Sequence, residues 1–72
     1  MYIVFEIQYN GKTAATLTNV YETANDANAK YHTILASAAV SSLPVHSAVI
    51  IDETGNLIKS EFYRHASEEA EE

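Results

Sequence analysis

The chain has 72 residues, no cysteine and a formal net charge of −6, which limits it to one domain and excludes disulfide bonds and thiolate metal sites. Its four lysine and arginine residues are too few to supply the phosphate contacts on which nucleic-acid affinity depends, so we expect no direct nucleic-acid binding. No stretch approaches the ~20 apolar residues of a membrane helix, and the N-terminus lacks the basic segment of a signal peptide. We therefore expect a cytosolic protein without membrane contact. Because domains of this size are often marginally stable alone, we expect oligomerisation.

The first two predicted elements form a β-hairpin. Tyr2 to Tyr9 alternates between two faces and is rich in residues that favour strands. Asn10-Gly11 follows, and this dipeptide is a strong hairpin signal because both positions tolerate the positive φ of a type I′ turn. Lys12 to Tyr21 then returns as a weaker second strand, rich in threonine and alanine.

A helix is predicted after this hairpin. Thr23 can cap the first free amide groups, and Asp26 can complement the helix dipole. Apolar residues at spacings of three and four predict that the helix runs from about Ala24 to Val40. Pro44 then ends the segment, because proline disfavours helical conformation in the preceding residue.

The third predicted strand, Val45 to Asp52, is apolar on both faces. One face carries Val45, Val49 and Ile51, and the other carries Ala48 and Ile50. A single helix covers only one face of a sheet, so the second face requires another subunit or a partner. We therefore expect an oligomer interface that includes Val4, Ala48, Val49 and Ile50.

The fourth strand follows a turn that spans Asp52 to Asn56. Gly55 lies where the turn needs positive φ, and a bulge is expected before the strand from Leu57 to His65. The order ββαββ predicts an α+β fold, with a four-stranded, mainly antiparallel sheet and one helix packed on one face. Which strands are neighbours, and which face the helix covers, stay open at this point.

The acidic residues are concentrated at the C-terminal end. Four of the ten follow residue 66, and the other six are nearly balanced by four basic residues. Segments of this composition are usually solvated ends. The sequence therefore predicts one domain over residues 1–65 and an acidic, flexible tail over 66–72, with a docking segment for a basic partner as the alternative.

No group of residues predicts an enzyme. Gly11-Lys12-Thr13 is too short for a phosphate-binding loop, which also requires a helix after it. The serines include no nucleophile elbow and have no visible base partner. The spacing of His32, His46 and His65 does not predict convergence on a metal. We therefore predict a non-catalytic protein that uses neither a metal nor a cofactor.

The longest distinctive stretch is KYHTILASAAVSSLPVHSAVIIDETG, residues 30–55. Together with MYIVFEIQ at the start and Tyr63 to His65, it resembles a family of short proteins of gut Firmicutes and their phages and prophages. That family has no established activity, so the resemblance implies only a phage-associated accessory or structural role. It directs attention to Tyr31, His32, Ser41 and His46.

Two functions follow as expectations. The first is a non-catalytic phage or prophage accessory protein that acts through a homo-oligomeric surface, as a virion component or as an inhibitor of a host protein. Such a protein would be found in the host cytoplasm or in the virion. The second is a binding protein that sequesters a small nucleotide signal in a pocket between subunits. The residues expected to bind that ligand are Tyr31, His32, Ser41, Ser42 and His46.

Overall fold

The computed structural model describes residues 1–65 and consists of one four-stranded antiparallel sheet and one helix. Its elements are β1 (Tyr2–Tyr9), β2 (Ala14–Tyr21), α1 (Ala24–Ala39), β3 (Val45–Asp52) and β4 (Leu57–Arg64). The predicted ββαββ order and α+β fold are confirmed. The acidic tail predicted over residues 66–72 lies outside the described residues. No helix in the described part of the chain is long and apolar enough to cross a membrane.

The strands lie in the order β2-β1-β3-β4, and every neighbouring pair is antiparallel. Each hairpin therefore contributes its first strand to the middle of the sheet and its second strand to an edge. The pairing of β1 with β3, in which Val4 lies opposite Ile50, joins the two halves of the chain. This long-range pairing decides which side chains share a face.

Both hairpin turns contain a glycine with positive φ, but only the second turn has the predicted form. Gly11 has a φ of +99°, but no residue other than glycine has a positive φ in the described chain, so the predicted type I′ turn is not formed. Instead, Oδ1 of Asn10 accepts hydrogen bonds from the amides of Lys12 and Thr13, both at 2.9 Å. Gly55 has the predicted positive φ, +92°. The predicted bulge is confirmed, because the register shift leaves Ile58 without a directly opposite residue.

Helix α1 begins where the sequence predicts. Oγ1 of Thr23 accepts a hydrogen bond from the amide of Asp26 at 3.2 Å, which satisfies one of the amide groups left free at a helix start. The helix ends at Ala39, one residue earlier than predicted, and Val40 forms the C-terminal cap. One face of the helix is buried against the sheet through Ala27, Tyr31, Ile34 and Ala38.

The hydrophobic core lies between α1 and the central strands. Val4, Ala48 and Ile50 are 0–2% exposed and pack with the buried residues of the helix. This corrects the expectation that these three residues form an oligomer interface, because α1 already covers them. The register explains the grouping, since Val4 lies opposite Ile50 and Ala48 is two residues away on the same face. Of the four residues expected at the interface, only Val49 lies on the opposite face.

Candidate functional site

The face of the sheet opposite α1, called the open face below, is mostly apolar. The register places on it Ile3, Phe5, Ile7 and Tyr9 of β1; Ala14, Thr16, Thr18 and Val20 of β2; Val45, Ser47, Val49 and Ile51 of β3; and Leu57, Ser60, Phe62 and Arg64 of β4. On the edge strands, Val20 and Phe62 are each 55% exposed and Leu57 is 64% exposed. A solvated sheet face normally carries polar residues, so the composition of the open face points to a surface that becomes covered.

The open face is also nearly uncharged. Among its described residues only Arg64 is charged, and it lies at the end of an edge strand with its guanidinium carbon 5.7 Å from the ring centroid of Phe62. Apolar side chains continue across all four strands near one end of the sheet, in the row Val20, Ile3, Ile51 and Leu57. Phe5 and Val49 extend this surface along the two central strands. A continuous apolar surface of this kind on a small protein typically marks an interaction site.

The helix-covered face, in contrast, contains the polar residues of β1. Oε2 of Glu6 lies 2.7 Å from Nε2 of His46 and accepts a hydrogen bond from Nε2 of Gln8 at 2.9 Å. The side chains of His46 and Glu6 are only 5% and 17% exposed. Burial raises the pKa of Glu6, but the hydrogen bonds from Gln8 and His46, with the charges of His46 and Lys30, outweigh it, so the pKa lies below the ordinary glutamate value.

This histidine–carboxylate pair has the form of a catalytic base held by an acid, but its position does not suit catalysis. With Nε2 bonded to Glu6, the nitrogen left for chemistry is Nδ1 of His46. Nδ1 is buried and has no hydrogen-bond partner among residues 1–65. A group that must exchange protons with a substrate needs to reach it, so this pair acts as a bond between the two central strands.

The residues expected to bind a ligand lie in different environments. Tyr31 is 4% exposed within the core, and the Lys59 ammonium lies 5.6 Å from its ring centroid. His32 is on the exposed side of α1, with its ring edge-on to that of Tyr31. Ser41 accepts a hydrogen bond from the amide of Leu43 at 3.0 Å, and Ser42 is exposed. Because Tyr31 and His46 are buried while His32 and Ser42 are exposed, these residues do not share one surface of a single chain.

His65 has a structural contact that the sequence did not indicate. Its Nε2 lies 2.7 Å from the carbonyl oxygen of Ala38, in the last turn of α1, which also accepts a hydrogen bond from the amide of Ser41 at 3.2 Å. The ring also stacks on Tyr63, with 10° between the two planes. His65 therefore joins the end of β4 to the end of the helix. Within residues 1–65 no three histidine or carboxylate side chains come together as a metal site.

Comparison of the chain with protein-family models, with curated proteins and with solved structures gives no match. The open face is therefore identified as the candidate functional surface from its own geometry. The sequence predicts that one sheet face needs cover, but the expected interface included Val4, Ala48 and Ile50, which lie on the other face. The signal that could have corrected this is Glu6, a polar residue on the same face of β1 as Val4, whose partner His46 is the second residue of β3.

Proposed function

We propose that this protein is a non-catalytic component that works as an assembly of identical chains, joined across the open face. The observation that carries this proposal is the uneven distribution of polarity between the two faces of the sheet. The helix covers the face with Glu6 and His46, while the face with Phe5, Val49 and Phe62 is left to water in a single chain. Covering the open face with a second copy removes this apolar surface from water.

The size of the open face suits a dimer. Strands about 4.8 Å apart, with residues about 3.3 Å apart along each strand, give a four-stranded sheet of this length a face of roughly 500 Å². Two such faces packed together bury about 1,000 Å², the size at which specific protein–protein interfaces begin. The sheets would stack about 10 Å apart, with both helices on the outside.

The composition of the open face favours a second copy over a charged partner. A surface that packs against an identical copy must avoid placing like charges together. The one charged residue described on this face, Arg64, lies at its border. A basic or acidic partner would gain nothing from the centre of this surface, where Phe5, Val49 and Ser47 offer no charge to it. Two copies related by a two-fold axis use the same patch on both subunits.

The setting and the activity of the assembly are part of this proposal. The resemblance to phage and prophage proteins suggests an accessory role, either as a virion component or as an inhibitor of a host protein. The absence of a solvent-accessible reactive pair at Glu6 and His46 supports a protein that acts by binding. The alternative, a pocket between subunits that holds a nucleotide signal, is supported by Ser42 and His32, which are exposed and free to meet a ligand.

The experiment uses one valine on the open face and one valine away from it. Val49→Lys places a charge at the centre of the open face. Val40→Lys is the control, because Val40 is 84% exposed at the C-terminal end of α1, where a basic side chain is tolerated. Tagged forms of the wild type and both variants are used to capture proteins from phage-infected host cells and are screened by thermal shift against nucleotides.

We expect the wild type and Val40→Lys to capture the same protein and Val49→Lys to lose it. A captured phage structural protein identifies a virion component, and a captured host enzyme identifies an inhibitor. A nucleotide that raises the melting temperature of the wild type and of Val40→Lys, but not of Val49→Lys, would replace the proposal with its alternative. Equal capture by all three proteins would contradict the role of the open face.

A further inference from the structure

The two edges of the sheet differ in how they are protected against pairing with another strand. β4 is interrupted by the bulge at Ile58 and carries Lys59, Glu61 and Arg64. Bulges and charged residues are the usual means by which edge strands avoid pairing. β2, with the sequence AATLTNVY, has eight residues, no charge, no proline and an unbroken register. It therefore has the properties of an edge that accepts a strand.

The free hydrogen-bonding groups of β2 can be assigned from the hairpin. The amide of Asn10 donates to the carbonyl of Thr13 at 3.2 Å, and antiparallel strands alternate between bonded and non-bonded pairs. When bonded and non-bonded pairs are counted from this closing pair, four residues of β2 have backbone amides and carbonyls that point away from β1. These residues are Ala14, Thr16, Thr18 and Val20. The same alternation across the sheet agrees with the bond from the amide of His65 to the carbonyl of Pro44, 2.8 Å.

Leu17 indicates what pairs with this edge. It lies on the helix side of the sheet, opposite Glu6, and yet it is 49% exposed, because α1 packs over the central strands. A second β2 strand, antiparallel and centred on Leu17, would place Leu17 against its own copy and Thr16 opposite Thr18. Centring the pair on Thr18 would instead place Leu17 opposite the polar Asn19.

We infer that β2 pairs with β2 of a second copy about a two-fold axis at Leu17. Four directly opposite pairs then exchange about eight backbone hydrogen bonds, and the two leucines cover each other between the two helices. Threonine pairs, which stabilise cross-strand contacts, lie on the open-face side. No like charges meet, because β2 has no charged residue.

Edge pairing and face packing use different surfaces of the same chain. Edge pairing alone gives one eight-stranded sheet with both helices on one side. Stacking two such sheets across their open faces gives a closed assembly of four chains with the helices outside. The four-chain assembly rests on the proposed function, whereas the pairing of β2 does not.

The first test is disulfide trapping, which this chain suits because it contains no cysteine. When a residue lies directly opposite its own copy in a non-bonded antiparallel pair, the two Cα atoms are about 4.5 Å apart. This distance is within the range that a disulfide requires. Under mild oxidation we expect Leu17→Cys to form a covalent dimer in high yield while the native mass is unchanged. Val40→Cys is the control for random collision. Equal yields from the two variants would overturn the inference.

The second test separates the two interfaces. Thr18→Pro removes an amide that points away from β1, which an edge strand tolerates, and adding it to Leu17→Cys should abolish cross-linking. Circular dichroism checks that the fold is kept. In sedimentation we expect four chains for the wild type and two for each of Thr18→Pro and Val49→Lys. If only Val49→Lys lowers the number of chains in the assembly, edge pairing is overturned. If only Thr18→Pro lowers it, the proposed face interface is overturned.

Discussion

Nε2 of His46 lies 2.7 Å from Oε2 of Glu6, and the two residues are forty positions apart in the chain. Glu6 is in the middle of β1, and His46 is the second residue of β3. Gln8, directly opposite His46, donates to the same carboxylate oxygen. This small polar network joins the two central strands on the face of the sheet that α1 covers.

The ionised form of Glu6 should contribute to stability in a pH-dependent way. Its pKa is lowered in the folded protein, so its contribution is fully present above the unfolded value of about 4.3 and is lost as the pH falls through the folded value. Glu6→Gln should therefore cost about 1–2 kcal/mol at pH 7 and less at pH 3. Urea unfolding at equal protein concentration measures both values, and an equal cost at the two pH values would contradict this role.

Removing the histidine should be more costly than removing a histidine from the surface. His46→Ala leaves the largely buried carboxylate of Glu6 with only Gln8 as a partner, so we expect a loss of about 2–4 kcal/mol in the free energy of unfolding. His32→Ala, on the exposed side of α1, should change it by less than about 0.5 kcal/mol. Thermal or urea unfolding of the two variants gives the comparison. Similar losses for both would show that the buried pair is unimportant.

Neighbouring isoleucines on β3 should have opposite effects. Ile50 is 2% exposed in the core, so Ile50→Ala should lower the free energy of unfolding by about 2–5 kcal/mol and leave the folded protein with the same number of chains. Ile51 lies on the open face, so Ile51→Ala should weaken association more than folding. Unfolding and light scattering together measure both properties. The reverse result would mean that the two faces have been assigned the wrong way round.

The C-terminal acidic residues should affect solubility and not assembly. Deleting Ser67–Glu72 removes four of the ten acidic residues and leaves six against four basic ones. A smaller net charge lowers solubility, and exposed charges act only over about 8 Å at physiological salt. We expect the truncated protein to keep its mass in sizing experiments and its captured partner, but to precipitate at lower concentration. Loss of the partner at unchanged mass would make this segment the functional element.

Local signals in the sequence predicted most of the elements. Thr23 caps the helix as expected, and β1 and β3 have the predicted bounds. These features depend on residues within a few positions of one another, and sequence patterns report such interactions directly. The predicted type I′ turn at Asn10-Gly11 was wrong because Asn10 pairs with Thr13 and closes the turn, which leaves Gly11 and Lys12 as its central residues.

The assignment of faces could not be read from the sequence in the same way. β3 is apolar on both sides, so its pattern does not show whether Val49 or Ile50 is covered by the helix. That choice depends on β1 lying beside β3, which aligns Val4 with Ile50 and Glu6 with His46. Pairings between distant segments depend on the whole fold, and for that reason three of the four residues expected at the interface proved to be core residues.

The central claim is that the open face is covered by a second copy of the chain. Sedimentation equilibrium over a dilution series of the wild type, Val49→Lys and Val40→Lys tests it most directly. We expect the wild type and Val40→Lys to associate at micromolar concentration, and Val49→Lys to contain fewer chains while keeping its circular dichroism spectrum. A wild type that stays a monomer throughout the series, or a Val49→Lys variant that keeps the wild-type mass, would contradict the claim.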